Sequence, residues 1–193
     1  MPVVPRSRIA LFLVVAALAT LADLWSKHAV FSWPLLRTSE YWLVQDHAGF
    51  QLSLNEGGLF GMGQGAQFWL AGFSVLAALA IPIWLFRYKA AEDLVLTVTL
   101  AFVMGGILGN LYDRLGLHGL MWGAFSPNRA GPVYAVRDFI LLAWRWDPDP
   151  MKRVVWPNFN VADSFLVVGA AVLFFRAMAK PDGAKPPADS EQG

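Results

Sequence analysis

The sequence predicts an all-α membrane protein in which four transmembrane helices are joined by connections of unequal length. Of its 193 residues, 56% are hydrophobic and only 15% are charged, whereas a soluble domain averages ~45–50% and about 25%. The apolar residues fall into four segments of bilayer length, at about 9–27, 67–86, 94–113 and 160–179. Nine Trp suit the two membrane interfaces. We treat residues 1–180 as one membrane domain.

The first span follows the basic residues Arg6 and Arg8 and carries Asp23 and Lys27 at its far end. Alone, a basic start before an apolar segment resembles a cleaved signal peptide. Three further apolar segments follow, which favours an uncleaved first span.

The connection at 28–66 alternates apolar and polar residues around 41–44 and 50–54. Such alternation is typical of short strands or hairpins and not of a helix. We therefore expect local β structure between the first two spans.

The second and third spans are strongly apolar. The second has no charge between residues 68 and 86, and its Pro82 is tolerable in a membrane helix. The third carries Gly105 and Gly109, a small-xxx-small pair that lets another helix approach closely.

The fourth span contains an intramembrane carboxylate. Its apolar run at 165–175 is too short to cross a bilayer, which needs about 20 residues. The span must therefore extend back through Asp163 and Asn160. An ionisable residue inside a span is costly when unpaired, so Asp163 is a functional-site candidate.

Lys and Arg are denser at the two termini and in the 87–92 turn than in the connections at 28–66 and 114–159. This distribution predicts cytoplasmic termini. The tail at 181–193 is rich in Pro, Gly and charge, and is expected to be disordered in the cytoplasm.

The polar residues of the spans converge on one membrane face. Because consecutive spans alternate in direction, the first and third end where the second and fourth begin. Asp138 lies in the connection at that same face. The candidate site residues there are Asp23, Lys27, Asn55, Asn110, Asp113, Arg114, Asp138, Asn160 and Asp163.

Several chemistries lack support. There is no cysteine, hence no disulfide and no thiol nucleophile. The three His show no metal-ligand spacing, so we expect no metal and no cofactor. A Ser–His pair of Ser126 or Ser164 with His118 is possible in principle, but no Gly-x-Ser-x-Gly turn supports it. A net charge of +1 without a basic stripe predicts no nucleic-acid partner.

Two carboxylates, Asp138 and Asp163, remain as chemical groups at that face. Close carboxyl groups share one proton, so one can accept a proton from water while the other donates to a carbonyl oxygen. This pair predicts an aspartic peptidase. A small transporter or channel that uses the same Asp/Arg cluster, and a non-catalytic assembly factor, remain as alternatives.

Five blocks of the sequence resemble those of the signal peptidase II family of lipoprotein signal peptidases. They are Asp23-x-x-x-Lys27, Asn55-x-Gly57-x-x-Phe60-Gly61, Gly105-Gly106-x-x-Gly109-Asn110-x-x-Asp113-Arg114, Val136-x-Asp138-Phe139 and Phe159-Asn160-x-Ala162-Asp163-Ser164. The third and fifth blocks are long and specific.

The resemblance implies a fold and a role for each residue. Asp138 and Asp163 would be catalytic and would activate a water. The substrate-binding residues would be Asn55, Asn110, Arg114 and Asn160, and the supporting residues would be Asp23, Lys27 and Asp113. A small periplasmic β-sheet cradle and a short interfacial helix would accompany the four spans.

The resemblance also implies a substrate and a location. The enzyme would be a monomer of the bacterial inner membrane, in contact with membrane lipid, with its active site near the periplasmic interface. It would cut a prolipoprotein before a diacylglyceryl-modified cysteine. The 25 residues from Asp113 to Asp138 exceed what the family leads us to expect. The extra residues, about 117–134, would form a lid or an additional periplasmic loop.

Overall fold

The computed structural model describes residues 5–58, 65–145 and 152–179. Two features of the sequence lie outside these ranges, the tail at 181–193 and the Phe60-Gly61 pair of the second block. Four long helices dominate the described part, and they are α1 (Arg6–Phe31), α2 (Gln67–Pro82), α3 (Leu94–Arg114) and α4 (Val161–Ala179).

Each of the four helices is long and apolar enough to cross a membrane. The second continues beyond Pro82 as a π-helical turn, Ile83–Arg87. A proline removes one backbone donor from the helical ladder, so a change of winding at this point has a local cause. Four such helices fit the multi-pass membrane protein that the sequence predicts.

The third helix is the centre of the bundle and packs against the other three. Its approach to α1 depends on two glycines. A Cβ on Gly105 would overlap the Ala19 side chain, and a Cβ on Gly109 would overlap the Asp23 carboxylate. The small-residue pair thus lets α1 and α3 pack with their backbones close together.

A four-stranded antiparallel sheet in the order β1-β2-β3-β4 accompanies the helices. Its strands are β1 (Tyr41–Val44), β2 (Ala48–Asn55), β3 (Val136–Arg145) and β4 (Arg153–Phe159). The predicted strands at 41–44 and 50–54 lie within β1 and β2. The description all-α therefore applies to the spans only.

The last two strands were not predicted, because β3 shows no alternation of apolar and polar residues. Phe139 and Leu141 are buried on one face, while Ile140 and Leu142 occupy the other. A strand that is apolar on both faces reads as a continuous hydrophobic run. Outside the spans, single 3₁₀ turns lie at Pro34–Arg37, Ala90–Glu92 and Trp122–Ala124. The predicted interfacial helix stays a prediction.

The sheet adjoins the end of the bundle where α1 and α3 finish and α2 and α4 begin, which we call the site end. Its third strand contacts both α1 and α3. This contact brings a residue of β3 to the polar ends of the helices.

Candidate active site

The fourth helix begins with a reciprocal pair of hydrogen bonds between Asn160 and Asp163. The Asp163 N–H donates to Asn160 Oδ1 at 2.9 Å, and the Asn160 N–H donates to Asp163 Oδ2 at 3.2 Å. This is the geometry of a capping box, which satisfies two backbone donors that a helix start otherwise leaves free. The cap therefore fixes the position of the Asp163 carboxylate.

Asp163 is half-buried and faces an apolar cavity of about 270 Å³. The cavity lies between β3, β4 and α4, and its lining residues are Leu142, Trp156, Phe159, Asp163, Ser164, Val167 and Val168. Among the described residues of that lining, Asp163 is the only charged one. The carboxylate thus borders a space suited to an apolar molecule.

Asp138 lies on β3, buried to 1% exposure. It stands opposite Ser53 of β2 in the antiparallel register, so Asn55, two residues further on, is its diagonal neighbour within reach of a side chain. Asn55 Nδ2 donates to Asp138 Oδ2 at 3.0 Å, and Asn160 Nδ2 donates to Asp138 Oδ1 at 2.6 Å. Both oxygens of this buried carboxyl group therefore accept from an amide.

The protonation of Asp138 is strongly perturbed. Burial and, second, the negative charge of Asp163 raise the pKa of Asp138 to about 7. The hydrogen bonds from Asn55 and Asn160 act in the opposite direction, because they stabilise the ionised form. Near neutral pH, Asp138 therefore carries a proton for a large fraction of the time.

Asn110 of α3 connects the two carboxylates to the interior of the bundle. Its Nδ2 donates to Asp163 Oδ1 at 2.9 Å. Its Oδ1 accepts from Asn160 Nδ2 at 3.3 Å and from Lys27 Nζ at 2.9 Å. Asn110 is thereby fixed in one amide orientation, with its donor towards Asp163.

A buried ion network lies behind Asn110. Lys27 and Asp23 are fully buried, and Lys27 Nζ lies 2.7 Å from Asp23 Oδ2 and 3.1 Å from Asp113 Oδ2. Asp23 Oδ1 also accepts the Ala162 N–H of α4 at 2.9 Å. The network therefore joins α1, α3 and the start of α4 around one lysine.

Arg137 of β3 completes this network, and the sequence analysis missed it. Its guanidinium donates to Asp113 Oδ1 at 3.0 and 2.8 Å, and its N–H donates to Asp113 Oδ2 at 3.0 Å. Two aspartates and two cations make the network neutral, as a buried ion cluster requires. One signal pointed to it, since the polar ends of the spans carry three aspartates against two cations, Lys27 and Arg114.

Arg114 lies at the end of α3, next to the turn that follows β2. Its guanidinium donates to the Gly57 carbonyl at 3.2 Å. Its Nε is buried and has no hydrogen-bond partner within the described ranges. In the same turn, Asn55 accepts the Gly57 N–H at 2.9 Å and donates to the Gly58 carbonyl at 3.0 Å.

The structure thus brings all nine predicted site residues together at the site end. Ser164 and His118 of the alternative Ser–His pair have other hydrogen-bond partners. Ser164 Oγ donates to the Asn160 carbonyl, and His118 Nδ1 accepts the Leu120 N–H. Among the residues at 5–58, 65–145 and 152–179, no three His, Asp or Glu side chains are grouped as metal ligands.

The fold and the site define a multi-pass membrane protein in which two aspartates share the hydrogen-bond partner Asn160 at one end of the helices. This arrangement is the one expected of an aspartic peptidase that acts at a membrane surface. The transporter alternative expects a site near the middle of broken spans, whereas this cluster lies at the ends of the helices.

The comparisons with known proteins agree with this class. Residues 15–179 match the family model described as signal peptidase (SPase) II. A lipoprotein signal peptidase of Rhodopirellula baltica is 41% identical over 175 residues, which cover 90% of this chain and 74% of the relative. A lipoprotein signal peptidase of Pseudomonas fluorescens is 34% identical over 84% of this chain and 84% of the relative. One of Pseudomonas aeruginosa is 33% identical over 90% of this chain and 90% of the relative.

Two solved structures share the fold. Both are titled as a bacterial membrane enzyme determined by the in meso method, at 2.3 and 1.9 Å resolution. Their TM-scores are 0.62 and 0.66, their identities 21% and 20%, and they cover 92% and 90% of this chain and 96% of their own.

The chain belongs to the signal peptidase II family. It is therefore a protease and a multi-pass bacterial membrane protein, and the resemblance seen in the five sequence blocks is confirmed.

Proposed function

We propose that this protein is an aspartic endopeptidase that removes signal peptides from lipid-modified bacterial prolipoproteins. The observation that carries the proposal is the contact of Asn160 with both Asp138 and Asp163. One residue orients two carboxyl groups from different elements, and the pKa of one of them lies near 7. The names of the 41%-identical relative and of the two Pseudomonas relatives supply the substrate class.

The reaction begins with Asp138 protonated and Asp163 ionised. The Asp163 carboxylate takes a proton from a water molecule, whose oxygen attacks the scissile carbonyl carbon. Asp138 donates its proton to the carbonyl oxygen, so that no free oxyanion develops. The product of this step is a neutral tetrahedral diol, with the proton now on Asp163 and the charge on Asp138.

The second step restores the enzyme. Asp163 gives its proton to the nitrogen of the leaving amine while the carbon–nitrogen bond breaks. One hydroxyl of the diol returns its proton to Asp138 as the carbonyl re-forms. One water is consumed, and the products are a carboxylic acid and an amine.

The surrounding polar residues bind and orient the peptide. Arg114 Nε is buried without a hydrogen-bond partner among the described residues, so it suits a carbonyl oxygen of the substrate. Asn55, Asn110 and Asn160 hold the carboxyl groups and line the path of the peptide. Asp23, Lys27 and Asp113 support this set from within the bundle.

The apolar cavity beside Asp163 suits the lipid-modified part of the substrate. Its lining is almost entirely hydrocarbon, so an acyl chain that enters it from the bilayer stays in apolar surroundings. A diacylglyceryl group on the cysteine after the cut would occupy this space.

We propose that the protein lies in the inner membrane with both termini in the cytoplasm, as the distribution of Lys and Arg predicts. The site end and the sheet then lie at the periplasmic interface, where a signal peptide leaves the bilayer. The described spans form the site within one chain, so we propose that the enzyme works as a monomer surrounded by membrane lipid.

Incubation of the purified protein with a lipidated and an unlipidated precursor tests this function. We expect cleavage before the modified cysteine in the first precursor only. Asp163→Asn and Asp138→Asn should each lower the rate by about 10³-fold or more, while the protein still inserts and folds. Equal cleavage of both precursors, or full activity of the Asp163 variant, would contradict the proposal.

Asp46→Asn is the matched control for these substitutions. Asp46 is a half-buried aspartate in the turn between β1 and β2 with a backbone φ of 60°, and asparagine tolerates this left-handed conformation. Its rate should equal that of the unaltered protein.

A further inference from the structure

The long connection between α3 and β3 is an ordered loop at 117–134. The Val133 N–H donates to the Leu120 carbonyl at 2.9 Å, and the Trp122 N–H donates to the Gly131 carbonyl at 2.9 Å. These bonds close the loop into a short antiparallel pair. The extra residues therefore have a defined structure of their own.

The loop binds the turn that follows β2. The Arg129 guanidinium stacks on the Trp122 ring, 3.4 Å from its centroid. It donates to both carboxylate oxygens of Glu56, at 3.0 and 2.8 Å. A bidentate pair fixes orientation as well as distance, and the aromatic ring holds the guanidinium plane in place.

Glu56 directly follows Asn55, the residue whose amide donates to Asp138. The Asn55 side chain is shared between that carboxyl group and the Gly58 carbonyl. Its contact with Asp138 therefore depends on the path of the backbone at 55–58. A tether on Glu56 limits the conformations that this turn can adopt.

The loop makes a second contact on the other side of the connection between β2 and α2. The Tyr134 ring lies 5.6 Å from the ring of Phe68, in the first turn of α2. A third contact places Phe125 6.1 Å from Phe31, at the end of α1. The loop is thus anchored on two spans while it holds Glu56.

We propose that the loop at 117–134 positions Asn55 against Asp138 through the Arg129–Glu56 pair. Arg129 and Glu56 are positioning residues and do not contact the substrate. The inference rests on the proposed function, because its consequence for rate is a less well-placed Asp138. It gives the extra residues a role within the enzyme's own site.

Arg129→Met and Glu56→Gln test the proposal, with Arg87→Met as the control. Each test variant should lower kcat by about fivefold to tenfold with little change in KM. Arg87 is an exposed arginine at the end of the π-helical turn that follows α2, at the opposite end of the bundle from the loop. The control should keep the full rate.

The pH profile separates positioning from general loosening of the fold. A weaker hydrogen bond from Asn55 leaves the ionised form of Asp138 less stabilised, so the alkaline limb of kcat should move to higher pH in both test variants. Glu56→Arg and Arg129→Glu each reverse one charge of the pair and should each lower the rate. The double variant restores a pair of opposite charges and should recover part of that loss. Rates and profiles equal to those of the control would overturn the proposal.

Deuterium uptake of the peptide at 50–58 decides the question without substrate. Uptake should rise in Arg129→Met and not in Arg87→Met, and unchanged uptake would overturn the proposal. If the unaltered protein fails to cleave a lipidated precursor, the proposed function fails while this measurement still decides the role of the loop.

Discussion

Asn160 Nδ2 lies 2.6 Å from Asp138 Oδ1, and this bond crosses from the start of a membrane helix to a strand of the sheet. The same residue closes the capping box of α4 with Asp163. One asparagine therefore connects the two carboxyl groups directly. The hydrogen bonds that cap α4 thus also help to position the carboxyl groups of the site.

Asn160→Ala should damage activity far more than stability. The loss of a helix cap costs about 0.5–2 kcal/mol. The same change removes a donor from Asp138 and releases Asp163, so we expect the rate of precursor cleavage to fall by about 10²- to 10³-fold. Cleavage kinetics and thermal unfolding in detergent measure the two effects.

Asn158→Ala provides the comparison for that variant. Asn158 lies on β4 and donates to the Gln51 carbonyl at 3.2 Å, away from both aspartates. Its loss should leave the rate within about twofold. A comparable fall in both variants would mean that Asn160 acts only through the stability of the sheet and helix.

The rate of cleavage should decline as pH rises through about 7. Burial and the charge of Asp163 raise the pKa of Asp138 to about 7, and the proposed reaction needs this group protonated. The apparent value belongs to the pair of aspartates, because their titrations are coupled. A kcat profile measured with lipidated precursor tests this, and a rate that stays constant from about pH 6 to about pH 9 would contradict it.

Asp138 should also make the fold less stable at high pH. Because its folded pKa exceeds its ordinary value, the folded state binds more protons than the unfolded state between those two values. Stability from this group is therefore complete below the ordinary pKa and is lost as pH rises to about 7, by at most ~4 kcal/mol.

Asp138→Asn removes that titration. An amide in place of the carboxyl group cannot accept from both Asn55 and Asn160, so the variant loses a hydrogen bond. The resulting loss in the free energy of unfolding does not depend on pH. The melting temperature of the variant relative to the unaltered protein should therefore rise between about pH 5 and about pH 8. A constant difference across that range would show that Asp138 is not the group that titrates.

Much of the fold follows from simple patterns in the sequence. The spans appear as apolar runs because the bilayer demands length and hydrophobicity, and β1 and β2 appear through alternation. The strand that carries Asp138 gives no such pattern, since Phe139 and Ile140 are apolar on opposite faces. Its pairing with β2 is a long-range contact, which local sequence cannot specify.

The members of the site could be selected from sequence, but their connections could not. Alternation of span direction placed Asp163 and Asn110 at one face. The bridging by Asn160 depends on side-chain rotamers at the start of α4. Arg137 escaped notice because an arginine in a connection is usually solvated, and only its burial beside Asp113 shows its role.

Lys27→Met should destabilise the protein more than any change at the carboxylate pair. Lys27 is fully buried and contacts Asp23, Asp113 and Asn110. Its removal leaves two buried carboxylates with Arg137 as the one remaining cation of the network. Breaking a buried pair by removing one partner costs about 3–5 kcal/mol, and the loss also frees the Asn110 amide that donates to Asp163.

The expected result of Lys27→Met is therefore a large fall in melting temperature together with a fall in rate in the fraction that remains folded. Lys89→Met is the control, since Lys89 lies in the turn at the opposite end of the bundle, between α2 and α3. Thermal unfolding in detergent and cleavage per folded molecule measure the two effects. Methionine is similar in length to lysine and adds no unpaired polar group to the interior. If Lys27 only filled space, Lys27→Met would therefore keep the melting temperature and the rate of the unaltered protein. That result would contradict the prediction.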